Sequence, residues 1–388
     1  MAPVTPTPSS FVPFARPSIG AGEIAEVVAT LESGWLTTGP RVAEFEQAFA
    51  RYVGAPYALA VNSCTAALHL SLLAAGVAEG AEVITSPLTF CATANAIIHT
   101  GATPVFADVD PYTMNLDPDG AASRITGRTR VLLPVHYAGR PADVEAFGAL
   151  GRAHGLQVVE DAAHCVEGVA SGRKIGTTAD FTCFSFYSTK NLTTGEGGMV
   201  TTASPEAAEW MRVASLHGLS RDAWKRYAAD GRAQYDVVMA GFKYNMMDLQ
   251  AAIGLHQLAR LEEMGARRAA LWQRYDDALA DLPLVRPWPT EPGSVHARHL
   301  YTVLVDPARC AWTRDHLQQA LADRGIGTSV HFRALHLHPY YAERFGLRRG
   351  QFPEAERISD QTLSLPFSAS LSDQDADRTV AALRELVG

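Results

Sequence analysis

Lys190 stands near the end of strand-like residues in FSFYSTKNLTTGEGG, the stretch from Phe184 to Gly198. Phe184-Ser185-Phe186-Tyr187-Ser188 alternates aromatic and small polar residues, then delivers one lysine into a turn of threonines and glycines. A buried ammonium without a counter-charge is costly and tends to lose its proton. The neutral amine that results attacks carbonyls and forms Schiff bases. The plainer reading is a surface lysine in a glycine-rich loop, the usual lot of a charged side chain. Which reading holds depends on what else the chain places beside it.

Small hydroxyl residues follow another apolar run. Tyr57–Val61 leads into Asn62-Ser63-Cys64-Thr65 and at once into a helical pattern. Free amides and hydroxyls at a helix start suit a phosphate, although an ordinary Ser or Thr cap has the same look. LQVVE runs into Asp161-Ala162-Ala163-His164. A carboxylate at the end of an apolar strand needs a cation or donor, which a protonated ring nitrogen of a cofactor would supply. The alternative is a turn cap or an arginine partner. His164 could hold an oxygen of the same ligand or serve the core, Ser185 could add a hydroxyl to the phosphate, and Phe90 in PLTFCATAN could stack on a ring or fill the interior. An aldehyde, a protonated pyridine, a ring face and a phosphate are the parts of pyridoxal phosphate (PLP), and each finds a partner in this set.

These residues need strand ends that share one edge of a sheet. Tyr57–Val61, Glu82–Thr85, Thr103–Val109, Val131–His136, Leu156–Asp161 and Asp180–Phe186 read as strands. Several are apolar on both faces, as in a covered parallel sheet. Thr65–Ala75, Thr93–Thr100, Ala142–His154 and Glu206–Leu216 suit crossover helices, and Gly198–Thr202 reads as a further strand that could run antiparallel. A long helix is expected from Met247 to Leu282, then prolines, a strand in HLYTVLV, a helix in TRDHLQQALADRG and a last helix over Asp373–Val387. The expected architecture is α/β: a large domain, residues 1–258, with a mostly parallel sheet flanked by helices, and a smaller C-terminal α+β domain, residues 259–388.

Composition narrows the function classes. The chain has 388 residues, 47% hydrophobic and 19% charged, with a formal net charge of -8. No lysine or arginine run stands out, so nucleic acid is not an expected partner. No apolar run approaches a membrane span. MAPVTPTPSS lacks the basic and apolar regions of a signal peptide and reads as a leader. Cys64, Cys91, Cys165, Cys183 and Cys310 show no metal spacing, and reduced thiols in a cytoplasmic protein are expected.

The chain as a whole resembles the DegT/DnrJ/EryC1/StrS sugar aminotransferases, PLP enzymes of fold type I. The likeness runs in order through SGWLTTGP, SCTAALHL, TFCATANAI, GATPVFADVD, PVHYAGRPAD, EDAAH, FSFYSTKNLTTGEGG, GFKYNMMDLQAAIG, HFRALHLHPYY and LSLPFSASLSDQD. The resemblance implies that Lys190 links covalently to PLP and moves protons. It implies that Asp161 keeps the pyridine nitrogen protonated, that His164 lies near the phenolic oxygen and that Phe90 covers the ring. Thr65, the backbone at Cys64, and Ser185 would hold the phosphate, with Asn245 donated from the second subunit of a homodimer with shared active sites. Many relatives carry Asn-x-Arg where this chain has Lys243-Tyr244-Asn245. PVHYAGRPAD, EDAAH, GFKYNMMDLQAAIG and RGIGTSVHFRALH look most like enzymes that aminate C4 of UDP-linked 4-keto sugars, nearest to UDP-4-amino-4-deoxy-L-arabinose aminotransferases. The implied reaction moves an amino group from L-glutamate to a 4-keto pentose or 4-keto-6-deoxyhexose carried on a nucleotide. Thr37, His331, Arg333 and His336 would face that substrate, although a solvated loop is the plain alternative for Arg333 and His336. Two alternatives differ in class. A PLP-dependent sugar dehydratase typically has histidine in place of the lysine. A PLP-binding regulator would need a DNA-binding module, which the sequence does not display.

Overall fold

The computed structural model describes residues 11–220 and 236–388; the leader read in residues 1–10 lies outside them. Helices α1 (Ala21–Ser33) and α2 (Pro40–Val53) come before any strand of the sheet. There follow β1 (Tyr57–Val61), α3 (Cys64–Ala74), β2 (Glu82–Thr85), α4 (Cys91–His99), β3 (Thr103–Phe106), α5 (Pro118–Ala122), β4 (Thr129–Leu133), α6 (Val144–His154) and β5 (Gln157–Asp161). A ribbon of β6 (Val169–Ala170) and β7 (Arg173–Lys174) leads to β8 (Phe181–Ser185), β9 (Gly198–Thr202) and α7 (Pro205–Ala214).

The main sheet is seven-stranded, in the order β1-β9-β8-β5-β4-β2-β3. β3, β2, β4, β5 and β8 run parallel to one another. β9 runs antiparallel to both β8 and β1, pairing Gly198 with Ser185 on one side and with Val61 on the other. Strands β1, β5 and β8 therefore point the same way, and their carboxyl ends share an edge. That edge receives Ser63, Asp161 and Lys190. Val83, Ile84, Val131, Leu132, Leu133 and Val159 are buried, as both-face coverage by helices requires.

Two expected strands end early for visible reasons. β4 stops at Leu133 because Pro134 offers no amide. The chain then runs beside β5, where Asp161 donates its N–H to the Pro134 carbonyl and accepts that of His136. β3 stops at Phe106, and Asp108 just beyond it accepts the amides of Glu354 and Ala355. The single helix expected over Met247–Leu282 is two, α8 (Asp248–Ala259) and α9 (Leu261–Ala278). Arg260 between them leaves helical geometry, and its guanidinium reaches Glu23 Oε1 at 2.8 Å and Ser18 Oγ at 2.9 Å.

The C-terminal part holds β10 (Thr302–Leu304), α10 (Arg314–Asp323), α11 (Pro339–Phe345), α12 (Pro353–Gln361), β11 (Thr362–Ser364) and α13 (Asp373–Val387). β10 and β11 form an antiparallel pair. The strand expected across HLYTVLV is thus confined to Thr302–Leu304. One apolar cluster gathers Leu271, Tyr275, Tyr301, Leu317, Leu321 and Leu383, with Val12 contributed from the N-terminal segment. Helix α9 connects it to the larger part, since its own Leu261 and Met264 pack with Phe45, Phe49 and Phe186. A further cluster joins Leu88, Phe106 and Tyr137 to Leu300, Leu335 and Ile358, fixing the C-terminal part against the site edge of the sheet. Among the described residues no helix is long and apolar enough to cross a membrane.

Candidate active site

A cavity of about 520 Å³ opens at the shared strand edge. Lys190, Asp161, His164 and Ser185 line it from β5, β8 and their following loops. Cys64, Thr65, Phe90 and His331 complete the meeting of residues expected from sequence. Its volume lies within the range of small-ligand sites.

One end of the cavity is the start of α3. Ser63 is the N-cap, its Oγ accepting the Ala66 amide at 3.1 Å. The amides of Cys64 and Thr65, at the very start, lie outside the helix's own bonding. Ser185, the last residue of β8, stands across from Gly198 on β9. A Cβ on Gly198 would lie 2.6 Å from the Ser63 carbonyl carbon and 2.7 Å from the Cys64 nitrogen. Glycine there lets the helix start sit directly against the strands. Amides at a helix start and two hydroxyls facing one space favour an anion.

Lys190 follows a turn closed by its own amide on the Tyr187 carbonyl, at 2.9 Å. Burial pushes its ammonium down to about 8, and the nearby Asp161 charge opposes that fall. Asp161 is itself pushed up by burial and drawn back by its donors, first the Thr93 hydroxyl. Thr93 Oγ1 donates to Asp161 Oδ2 at 2.8 Å, and the Ala163 amide donates to Oδ1 at 3.1 Å. A partly deprotonated lysine and a buried carboxylate thus face one space. The first is a nucleophile near neutral pH and the second is an anion held for a cation.

Histidines form much of the remaining wall. His164 stands 4.4 Å from His299 between ring centres and stacks on Phe332 at 5.9 Å. His164 and His299 are held well below the usual histidine range, chiefly by burial and then by the Lys190 charge. His331 is pushed down to about 3 by the same causes, and its Nδ1 lies 2.8 Å from Ser364 Oγ. All three are therefore neutral at pH 7. His299 also has a defined tautomer. Asn191 spends its amide protons on Glu167 Oε2 and the Ala297 carbonyl, both at 2.8 Å, so its oxygen must accept from His299 Nδ1 at 3.1 Å. Glu167 is fixed in turn by an ion pair with buried Arg268. His164 Nδ1 is buried with no hydrogen-bond partner among the described residues.

Four of the residues expected from sequence lie outside this cavity. Asn245 lines a separate space of about 400 Å³ with Trp35 and Thr38, donating to Thr38 Oγ1 at 2.6 Å. Thr37 is exposed on the α1–α2 loop, its carbonyl accepting the Asp248 amide at 3.1 Å. Arg333 is exposed and donates to the Leu337 carbonyl at 2.7 Å. His336 is fully buried against Phe352, with Nε2 2.9 Å from Glu356 Oε1. Its ring is thus taken up by the packing of the turn and α12.

Sequence reading missed Thr93, His299 and Phe332, which line the cavity. Thr93 carried only a weak signal, a hydroxyl in the first turn of a mostly apolar helix pattern. His299 and Phe332 sit in irregular chain before β10 and before α11, where no periodicity marks an inward side chain.

The chain is 52% identical over 379 residues to the spore coat polysaccharide biosynthesis protein SpsC of Bacillus subtilis, covering 97% of each. Its fold is similar to Spr1654 of Streptococcus pneumoniae, described as a sugar aminotransferase and solved in its PMP-form, with a TM-score of 0.90 at 33% identity over 97% of this chain and 98% of that one. It is also similar to PseC of Helicobacter pylori, an aminotransferase involved in the biosynthesis of pseudoaminic acid, with a TM-score of 0.89 at 28% identity over 97% and 99% of the two chains. A match to the DegT/DnrJ/EryC1/StrS aminotransferase family spans residues 17–384, and the chain belongs to that family of PLP fold type I enzymes.

Proposed function

We propose that this chain uses PLP to transfer the amino group of L-glutamate to C4 of a nucleotide-linked 4-keto sugar, a UDP-4-keto pentose or a 4-keto-6-deoxyhexose. The observation that carries this reading is the buried Lys190, its ammonium pushed down to about 8, in a cavity whose walls also hold Asp161 and the α3 start. The residues fit the cofactor. The amides of Cys64 and Thr65 with the hydroxyls of Thr65 and Ser185 would hold its phosphate, and Phe90 would cover its ring. His164 Nδ1, buried without a partner among the described residues, supports a ligand atom at that wall. When bound, PLP supplies an aldehyde that carries the amino group and a ring that draws electrons.

With the cofactor bound, Asp161 would keep a proton on its ring nitrogen and so make that ring an effective sink. Lys190 Nζ, neutral in part at physiological pH, takes the proton from the donor carbon and returns one to C4 of the sugar. Neutral His299 and His331 flank that path without adding charge that would compete with Asp161. The sugar class rests on the resemblance of PVHYAGRPAD and RGIGTSVHFRALH to C4-aminating enzymes and on sugar-pathway relatives. Asn245, outside the Lys190 cavity of its own chain, supports a homodimer in which Asn245 of the partner subunit reaches the phosphate.

Purified protein should be yellow, and its absorption should change on adding glutamate. A panel of UDP- and dTDP-4-keto sugars should then identify one that is aminated. Lys190→Ala should abolish turnover, and a Lys190→Ala protein that still aminated the sugar would overturn the assignment.

A further inference from the structure

Thr93 in the first turn of α4, and Thr89 just before its N-cap, stand together beside the carboxylate of the site. Thr93 is fully buried and Thr89 nearly so. Ionised Asp161 can only accept, so the 2.8 Å contact to Oδ2 runs from the Thr93 hydroxyl. That spends Thr93's one proton. The 2.8 Å contact between the two threonine hydroxyls must therefore run from Thr89 to Thr93. With the Ala163 amide on Oδ1, each oxygen of Asp161 receives a donor from the protein. The same element begins directly after Phe90, its N-cap. One helix start thus sets both the aromatic at the cavity and the donor to the carboxylate.

We propose that Thr93, backed by Thr89, is a positioning residue for the amino transfer, lowering the proton affinity of Asp161 so that their shared proton stays on the cofactor's ring nitrogen. The inference rests on the function proposed above. Its logic is a competition. Asp161 and a pyridine nitrogen can hold one proton between them. Burial alone would draw that proton to the carboxylate, and hydrogen bonds donated to the ionised form work against this. Thr93 fills the same space as valine would, so packing alone gives it no reason to be a hydroxyl.

The test compares wild type, Thr93→Val and Thr93→Ser, each loaded with pyridoxal phosphate isotopically labelled at the ring nitrogen. NMR of that nitrogen reports its protonation, and absorbance reports the half-reaction with glutamate. Wild type and Thr93→Ser should show a protonated ring nitrogen. Thr93→Val should bind cofactor but shift toward the unprotonated signal and slow the half-reaction about tenfold to a hundredfold, as loss of one hydrogen bond to a charged group implies. A folded Thr93→Val with the wild-type nitrogen signal would overturn the proposal while leaving the function intact. If Thr93→Val does not fold, Thr89→Val should give a smaller shift in the same direction, and an unchanged signal there would likewise overturn it. Wild-type protein that takes up no cofactor would defeat the function itself, and this inference with it.

Discussion

Lys190 is the residue on which protonation state matters most. An ordinary lysine is almost wholly charged at pH 7, whereas burial pushes this one down to about 8, so roughly a tenth of it is already neutral. The sign is that of a base whose charged form is disfavoured: the neutral amine gains as pH rises, and does so sooner than in water. Covalent capture of pyridoxal phosphate by cofactor-free protein, trapped with borohydride, should therefore quicken about tenfold per pH unit below pH 8 and level off above it. A rate that kept climbing to about pH 10 would mark Lys190 as an ordinary exposed lysine. The neighbouring histidines do not blur this profile. His331 titrates near pH 3, and His164 and His299 are held well below their usual range.

At the scale of elements, the close approach of α3 to β9 is the most exacting contact at the site. Gly198→Ala would push a methyl group to 2.6 Å from the Ser63 backbone, where no flexible side-chain end can yield. Overpacking of this kind costs about 1–3 kcal/mol. Thermal unfolding should show that loss, and the cofactor's dissociation constant should rise because the displaced atoms belong to the anion cradle. An alanine variant with unchanged melting and affinity would mean that the helix start has more freedom than its packing implies. This contact also shows what a sequence can reveal. Short apolar runs and the hydroxyls of Ser63 and Thr65 made β1, β5, β8 and the start of α3 legible, because those patterns are local. The break at Arg260 was not, since it is drawn to Glu23 and Ser18 on a distant segment. Helices α1 and α2 drew no assignment either, because the strand pattern begins after them. His299 and His336 were opaque for a related reason. Only tertiary packing turned one toward the cavity and paired the other with Glu356.

For the whole molecule, α1 is docked the wrong way round for a helix of an isolated chain. Its inner face is polar: buried Glu23 accepts Gln257 Nε2 at 2.7 Å and Arg260 Nη1 at 2.8 Å. Its apolar stripe faces outward, with Ile24 59%, Val28 46% and Leu31 52% exposed, and Trp35 and Leu36 follow at 41% each. Amphipathic helices normally bury such a stripe, and contiguous exposed apolar surface marks an interaction site. The stripe leads to the loop whose Thr38 bonds Asn245, the residue proposed above to reach a second subunit's phosphate. A second copy of this chain is the occupant that would satisfy both features. Each of these side chains is about half exposed, so covering it is worth about 1 kcal/mol, and placing charges among them should disfavour pairing of two copies. Ile24→Glu with Val28→Glu should leave the helical content intact by circular dichroism and shift sedimentation from dimer to monomer. It should also weaken PLP binding, because each site would lose Asn245 of the partner subunit. The two readouts discriminate. A monomer with full cofactor affinity would retain the interface and refute the sharing of sites. A variant that remains dimeric would place the interface on another face.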